Sequence, residues 1–142
     1  MQIKEINYHS EEYQRLLDFR FNNLRKPLNL EWSKEDLLSE NKQIHFALKN
    51  QSEIIGSFCL KKIDCTTIRL RQMAIEKKFQ KQGYGSSILN FTEKFAIRNN
   101  YKKIIIIARL SAMDFYKKNF YKTSGNIFTD VTVSSINMYK KI

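Results

Sequence analysis

The most informative segment of the chain is LRQMAIEKKFQKQGYGSS, at residues 70–87. Its first part is the end of a strand predicted over Thr67 to Ile75. An amphipathic helix is predicted from Tyr84, where apolar residues begin to recur at helical spacing. Between them, Gly83 and Gly85 stand two apart in a turn that would leave backbone amides free at the positive end of the helix. Such a turn can cradle a pyrophosphate or can simply connect a strand to a helix. It contains neither the GxxxxGKS/T pattern of a nucleotide P-loop nor a full GxGxxG.

The rest of the chain predicts a mixed α/β fold. Strands are expected at 1–6, 44–49, 54–63, 67–75, 104–107, 120–128 and 133–139, and helices after Ser10, after Ser33, from Tyr84 and from Ser111 to Lys118. Pro27 is expected to end the first helix, Ser33 and Asp36 to form a capping box, and Ser111 to cap the last helix. The isoleucines at 104–107 predict a strand buried on both faces. The order of elements implies parallel pairing in the centre and antiparallel flanks, in a single domain over residues 1–142 with about four helices.

Length and composition restrict the class of protein. With 142 residues and 42% hydrophobic side chains, the chain can bury a core without metals or disulfides, and it is too apolar for a disordered tail. The longest apolar run, Ile104 to Ala108, has only five residues, which is too short for a bilayer span. The N-terminus shows no secretion signal. Cys59 and Cys65 form no CxxC pair and have no histidine nearby, so we expect free thiols, no metal site and a reducing, cytoplasmic setting.

The net charge of +11 is unevenly distributed along the chain. Residues 1–70 carry eleven basic and ten acidic side chains, a net of +1, whereas residues 71–142 carry fourteen and four, a net of +10. An anionic ligand is therefore expected in the second half. A nucleic-acid-binding module is a competing interpretation, but the aromatic residues fall at core spacing and no recognised nucleic-acid motif is present.

Three segments together resemble the GNAT superfamily of acyl-CoA transferases. QKQGYG at 80–85, after a strand and before a helix, is similar to that family's motif A, Q/R-x-x-G-x-G/A. ARLSAMDFYKKNF at 108–120 resembles the family's A-R-x-x-A-x-x-F-Y-x-K-x-G-F, and LRKPLNL at 24–30 is similar to L-R-x-P-L-G-L in one bacterial branch. The predicted order of elements also matches the GNAT fold, so the resemblance covers nearly the whole chain.

The resemblance implies an acetyl-CoA site between a fourth and a fifth strand that splay apart. Backbone groups of Met73 and Ile75 would pair with the pantetheine amides, and Gln80 would open the pyrophosphate-binding arm. The family's pattern assigns the remaining cofactor contacts to Lys81, Gln82, Gly83, Tyr84, Gly85, Ser86 and Ser111. Tyr116 matches the tyrosine that protonates the departing CoA thiolate, although an amphipathic packing role is the alternative. Lys117 and Lys118 either contact the adenosine phosphates or are solvated.

The family's reaction is direct attack of an amine on the acetyl thioester, with the Met73 N–H as an expected oxyanion donor. No general base is evident in this sequence. Glu76 lies beside Lys77 and Lys78, which suggests a solvated loop. We expect His45 to be a structural residue and His9 to lie on the surface. Two departures from the family's pattern bear on this chemistry and on the last helix. Ser135 stands where relatives have a histidine that faces the active centre, and Asn119 replaces the usual glycine after the last helix, where it could adopt a left-handed cap.

The leading hypothesis is a cytoplasmic N-acetyltransferase that moves an acetyl group from acetyl-CoA to the amine of a small molecule or peptide. The alternative, motivated by Ser135, is an acyl-CoA-binding GNAT domain with little or no transferase activity. Neither hypothesis requires a metal, a membrane or a nucleic acid. Dimerisation is common in that fold, and a homodimer is compatible with the sequence.

Overall fold

The computed structural model describes residues 1–142 and contains seven strands and four α-helices. In chain order these are β1 (Gln2–Ile6), α1 (Glu11–Arg20), α2 (Lys34–Ser39), β2 (Ile44–Asn50), β3 (Glu53–Lys62), β4 (Thr67–Ile75), α3 (Tyr84–Arg98), β5 (Lys103–Arg109), α4 (Met113–Lys118), β6 (Lys122–Asp130) and β7 (Val133–Lys141). A π-helical turn spans Phe21–Arg25, and 3-10 turns span Lys26–Leu28, Glu40–Lys42, Lys77–Phe79 and Leu110–Ala112. No helix has the length and apolar character that a bilayer crossing requires.

The strands form one mixed sheet in the order β1-β2-β3-β4-β5-β7-β6. The pairs β1–β2, β2–β3, β5–β7 and β6–β7 are antiparallel, whereas β4 and β5 run parallel. The parallel ladder joins Thr67–Leu70 to Lys103–Ile106, which are the first parts of two longer strands. The predicted α/β class, with a parallel centre in a mostly antiparallel sheet, is therefore confirmed.

The chain folds as two compact units. The first comprises residues 1–61 and 72–88, and the second comprises residues 62–71 and 89–142, so that β4 contributes to both. In the first unit, Tyr13 and Leu16 of α1 pack with Ile6 and Ala47 in a buried cluster. In the second unit, Ile106 of β5 pairs with Met138 of β7, and both are buried.

The polar residues predicted to start the first two helices do so. The Ser10 hydroxyl accepts a hydrogen bond from the Tyr13 amide, and Ser33 and Asp36 form a reciprocal capping box. The end of the first helix differs from the prediction, because α1 stops at Arg20 and is followed by the π-helical and 3-10 turns instead of running to Pro27. A proline ring collides with the preceding turn of an α-helix, so the chain changes its hydrogen-bonding pattern before that residue.

The isoleucine strand is buried on one face only, which corrects the sequence prediction. Ile104 and Ile106 are almost inaccessible, whereas Ile105 and Ile107 are partly exposed. Successive side chains of a strand point to opposite faces, and only one face of β5 meets the core. Four identical apolar residues conceal that alternation in the sequence.

Ser111 does not cap the last helix. Residues Leu110–Ala112 form a 3-10 turn, α4 begins at Met113, and its N-cap position is Ala112, which has no side-chain capping bond. The extra turn moves the Ser111 hydroxyl one position away from where it could accept from the first helical amides.

The left-handed residue after α4 is Phe120, not Asn119. The Tyr121 amide donates to the Tyr116 carbonyl and the Phe120 amide to the Lys117 carbonyl, which is the bonding pattern of a Schellman cap. Phe120 has φ +71° and a 78% exposed side chain, whereas Asn119 has φ −96°. The glycine position of the family's pattern therefore corresponds to Phe120 in this structure.

Replacing Phe120 with glycine should stabilise the protein by about 1 kcal/mol, because a side chain at left-handed φ costs about that much. The loss of the contact between the Lys140 ammonium and the Phe120 ring, 5.6 Å from centroid to nitrogen, offsets part of this gain. The measurement is the free energy of unfolding in urea. The control is Asn119→Gly, which removes the hydrogen bond from Asn119 Nδ2 to the Phe115 carbonyl and should not stabilise. A Phe120→Gly variant no more stable than the wild type would contradict this account.

Candidate functional site

The turn between β4 and α3 presents unused backbone amides. Lys81 and Gly83 have left-handed backbones, with φ +61° and +89°. A Cβ added at Gly83 would meet nothing within 4 Å, so this position needs glycine for its backbone conformation and not for space. The first hydrogen bond of α3 runs from the Ser87 amide to the Gly83 carbonyl at 3.1 Å, which leaves the three preceding amides without an acceptor in the helix. Amides of this kind, at the positive end of a helix, suit an anion.

The two glutamines of this turn fold back along their own chain. Gln80 Nε2 donates to the Ile75 carbonyl at 2.9 Å, and Gln82 Nε2 donates to the Lys78 carbonyl at 3.1 Å. The Glu76 amide donates to the Ile55 carbonyl at 2.8 Å, which ties the end of β4 to β3. The side chain of Gln80 therefore braces the turn, and the polar groups that remain for a ligand are mainly backbone amides.

The end of β4 departs from regular strand geometry at Gln72, where φ is +51°. The Gln72 side-chain amide donates to Glu40 Oε1 at 2.7 Å, and the backbone carbonyl of Gln72 accepts from the Ser57 hydroxyl at 3.4 Å. Met73 and Ile75 follow, both partly exposed. Gln72 is thus held from two sides immediately before the residue expected to supply the oxyanion donor.

A fully buried arginine, Arg20, lies beside this feature in the first unit. Its guanidinium donates to the Ser57 hydroxyl at 2.6 Å, to His45 Nδ1 at 3.0 Å and to the Phe58 carbonyl at 3.0 Å. The carboxylate of Glu40, which is also buried, lies 3.7 Å from it. Because a buried charge is tolerated only when it is paired and hydrogen-bonded, these contacts explain how the arginine can occupy the core.

His45 is neutral in this cluster. A guanidinium has no acceptor, so His45 Nδ1 must accept from Arg20, and Nε2 must carry the proton that is donated to the Glu40 carbonyl at 2.7 Å. Ligand atoms of Glu40, His45 and Cys59 lie within 4.8 Å of one another, a spacing that could suit a metal ion. Both ring nitrogens are already engaged and a cation occupies the same cluster, so the donor set fits a hydrogen-bonded ion network better than a metal centre.

Sequence reasoning placed His45 correctly as a structural residue but missed Arg20. The signal was present, since Arg20 follows Tyr13 and Leu16 at the spacing that puts all three on one helical face. An arginine on an otherwise apolar face indicates a buried partner, but its acceptors come from β2 and β3 and cannot be identified from α1 alone.

In the second unit, Tyr116 of α4 is buried with 7% of its surface exposed. Its ring packs edge-on against Phe115 and Tyr121, with centroids 5.1 Å and 5.9 Å away. Burial raises the pKa of the Tyr116 phenol to about 12, and the positive charge of Arg109 opposes this rise. The phenol therefore stays protonated at neutral pH, as a proton donor must, while its packing also fits the alternative structural role.

The other predicted residues of the second unit have less distinctive surroundings. Ser111 is exposed in the 3-10 turn before α4. Ser135 lies on β7 opposite Arg109 of β5, is buried, and donates its hydroxyl proton to the Val133 carbonyl at 3.1 Å. Ser135 is thus a satisfied structural hydroxyl and offers no basic group.

The chain matches a family model described as "Acetyltransferase (GNAT) family" over residues 6–120. Among solved structures, it is similar to an aminoglycoside 6'-N-acetyltransferase complexed with coenzyme A, at 18% identity and a TM-score of 0.80 over 99% of this chain and 97% of that one. It is also similar to Escherichia coli ElaA, at 12% identity and a TM-score of 0.85 over 99% of both chains. A GNAT family acetyltransferase from Elizabethkingia anophelis with acetyl-CoA bound matches at 20% identity and a TM-score of 0.75, over 99% of this chain and 97% of that one. At these identities the structural likeness shows a shared fold.

Replacing Arg20 with methionine should destabilise the first unit strongly, by about 3–5 kcal/mol, because the buried carboxylate of Glu40 would lose its cation. The matched control is Arg15→Met on the exposed side of the same helix, which should change the free energy of unfolding by about 0.5 kcal/mol or less. The double variant Arg20→Met/Glu40→Gln should recover part of the loss, since both charges are then gone. Equal stability of Arg20→Met and Arg15→Met in urea unfolding would show that the network carries no such energy.

Proposed function

Because the chain belongs to the GNAT acetyltransferase family, which its match over residues 6–120 shows, we propose that it transfers an acetyl group from acetyl-CoA to a primary amine of a small molecule or peptide. The observation that carries this proposal is the turn before α3, whose amides before Ser87 have no acceptor within the helix. Two of the similar structures contain coenzyme A or acetyl-CoA, which supports acetyl-CoA as the cosubstrate. We propose that residues 1–142 act as one N-acetyltransferase domain.

The pyrophosphate of acetyl-CoA is assigned to the backbone amides of the turn. These amides belong to Lys81, Gln82, Gly83, Tyr84, Gly85 and Ser86. Backbone groups of Met73 and Ile75 pair with the pantetheine arm as an added strand would. Gln80 acts by donating a hydrogen bond to the Ile75 carbonyl. The carbonyl oxygen has a second lone pair, which can accept a hydrogen bond from the ligand. The exposed hydroxyl of Ser111 is a further contact.

Three steps follow for the reaction. The amine nitrogen attacks the thioester carbonyl, and the Met73 N–H stabilises the oxygen as negative charge develops on it. The C–S bond then breaks, and the Tyr116 phenol gives its proton to the departing thiolate. The attacking nitrogen loses a proton to water, from which Tyr116 is later reprotonated. Ser135 takes no part, since its hydroxyl is bonded to the Val133 carbonyl.

The surroundings of Ser135 also favour a second candidate function. Without a histidine at that position, the chain could bind acyl-CoA and transfer the acyl group slowly or not at all. Thiol release from acetyl-CoA, measured across a panel of small-molecule and peptide amines, separates the two functions. Release with at least one amine supports the transferase, and binding of acetyl-CoA without release from any amine supports the binding function.

We place this activity in the cytoplasm. Cys59 is a buried free thiol and Cys65 an exposed one, which suits a reducing compartment. We also propose that the reaction needs no metal, because the Glu40–His45–Cys59 cluster is occupied by the Arg20 network.

Replacing Tyr116 with phenylalanine should lower kcat by about 100-fold while leaving the KM for acetyl-CoA nearly unchanged, because only the proton donor is removed. The matched control is Tyr121→Phe, since Tyr121 is a buried neighbour whose hydroxyl has no hydrogen-bond partner. Its kcat should equal that of the wild type.

The pH profile gives an independent check of Tyr116. With a pKa of about 12, this acid remains protonated up to pH 10, so the wild-type rate should rise as the amine deprotonates and should show no descending limb below that pH. An unchanged kcat in Tyr116→Phe, or equal losses in both tyrosine variants, would remove Tyr116 from the mechanism.

A further inference from the structure

We infer that the second unit carries a separate anion-binding site, in a groove on one face of its sheet, that takes the phosphate or carboxylate group of a small molecule. The groove is open to solvent on one side and has a volume of about 480 Å³, which lies within the range of small-molecule sites. Its polar lining consists of Arg69, Lys103, Ser124, Asn137, Tyr139 and Lys141. None of the residues proposed above for acetyl-CoA lines it, so the inference stands independently of the proposed function.

The strand register explains why these side chains converge. Arg69 pairs with Ile105, and Ile105 pairs in turn with Tyr139. Two residues away from Ile105 and Tyr139 on the same two strands, Lys103 pairs with Lys141. Because alternate residues of paired strands share a face, all of these side chains lie on the side opposite Ile104 and Ile106, which face the core.

The charges on this face are unbalanced. Lys103 and Lys141 stand directly opposite each other, and like charges at that position destabilise a sheet unless an anion lies between them. Neither lysine, nor Arg69, forms a salt bridge. The charges that act most on Arg69 are those of Arg71, which repels it, and Asp130, which attracts it.

Arg69 also has an unused donor. Its Nε is buried and has no hydrogen-bond partner, and leaving such a group unpaired is unfavourable. An oxyanion in the groove would accept from the terminal amino groups of the planar guanidinium, since the buried Nε itself has almost no accessible surface, while the two ammonium groups would balance its charge. The Ser124 hydroxyl and the Asn137 amide add neutral donors, and the Tyr139 ring offers an apolar wall for the body of the molecule.

The test follows the Arg69 Nε–H signal by nitrogen-15 NMR at constant ionic strength, in the full-length protein. Inorganic phosphate and citrate are titrated in separate arms, which distinguish the phosphate from the carboxylate chemistry. The expected result is a saturable shift of the signal in at least one arm, with the same affinity when coenzyme A is present at saturation. A linear shift without saturation in both arms, or displacement of the anion by coenzyme A in equal proportion, would overturn the inference.

Two variants sharpen this test. Arg69→Gln should weaken binding of the anion by about tenfold or more, as expected for a lost charge-assisted hydrogen bond. Lys141→Gln at the end of β7 should weaken binding of the anion as well, and this variant replaces Arg69→Gln in the test if the arginine variant does not fold. The matched control is Lys102→Gln, which removes the same charge from an exposed lysine outside the groove and should leave the affinity unchanged. These variants are followed by calorimetry, and equal affinities in all of them would overturn the site.

Discussion

Burial of the Arg20 guanidinium is the constraint on which the first unit depends. A cation removed from water must be hydrogen-bonded and its charge balanced, and here the partners come from three separate elements. Ser57 and Phe58 belong to β3, His45 to β2, and Glu40 to the 3-10 turn before β2. Because each bond has its own direction, α1 cannot rotate or slide over these strands without leaving a buried polar group unpaired.

The same network reaches the strand that we assign to the cosubstrate. Glu40 offers one carboxylate oxygen to the Gln72 side chain and sets the other near Arg20, so a single residue joins the buried cation to the irregular part of β4. Gln72 adopts its left-handed backbone directly before Met73, whose N–H is the proposed oxyanion donor. We propose that the charged core has a positioning role, since it would set the direction of the Met73 N–H.

Much of the fold and part of the site could be predicted from the sequence. The change from a period of two to a helical period around Gly83 marked the turn and α3, and hydroxyl residues before acidic ones marked the starts of α1 and α2. These patterns depend only on residues that are close together in the chain, so they can be recognised without knowledge of the tertiary structure. The positions that sequence reasoning misjudged depend on distant partners or on backbone conformation: the buried Arg20, the one-sided burial of Ile104–Ile107, and the left-handed Phe120. A run of identical residues cannot show which face is covered, and a phenylalanine gives no hint of a positive φ.

We propose that the amides of the turn before α3 bind the pyrophosphate of acetyl-CoA. The chain offers a matched pair of glycines to test it, because Gly83 and Gly125 both have positive φ and neither would place a Cβ within 4 Å of another atom. Alanine at either position should cost about 1 kcal/mol of stability, and only Gly83→Ala should disturb the amides of the turn.

The deciding measurement is the dissociation constant of acetyl-CoA for both variants by calorimetry. Gly83→Ala should weaken binding by about tenfold, while Gly125→Ala on β6 should bind as the wild type does. Wild-type affinity in both variants, or the same loss in both, would contradict the assignment of the cosubstrate to this turn.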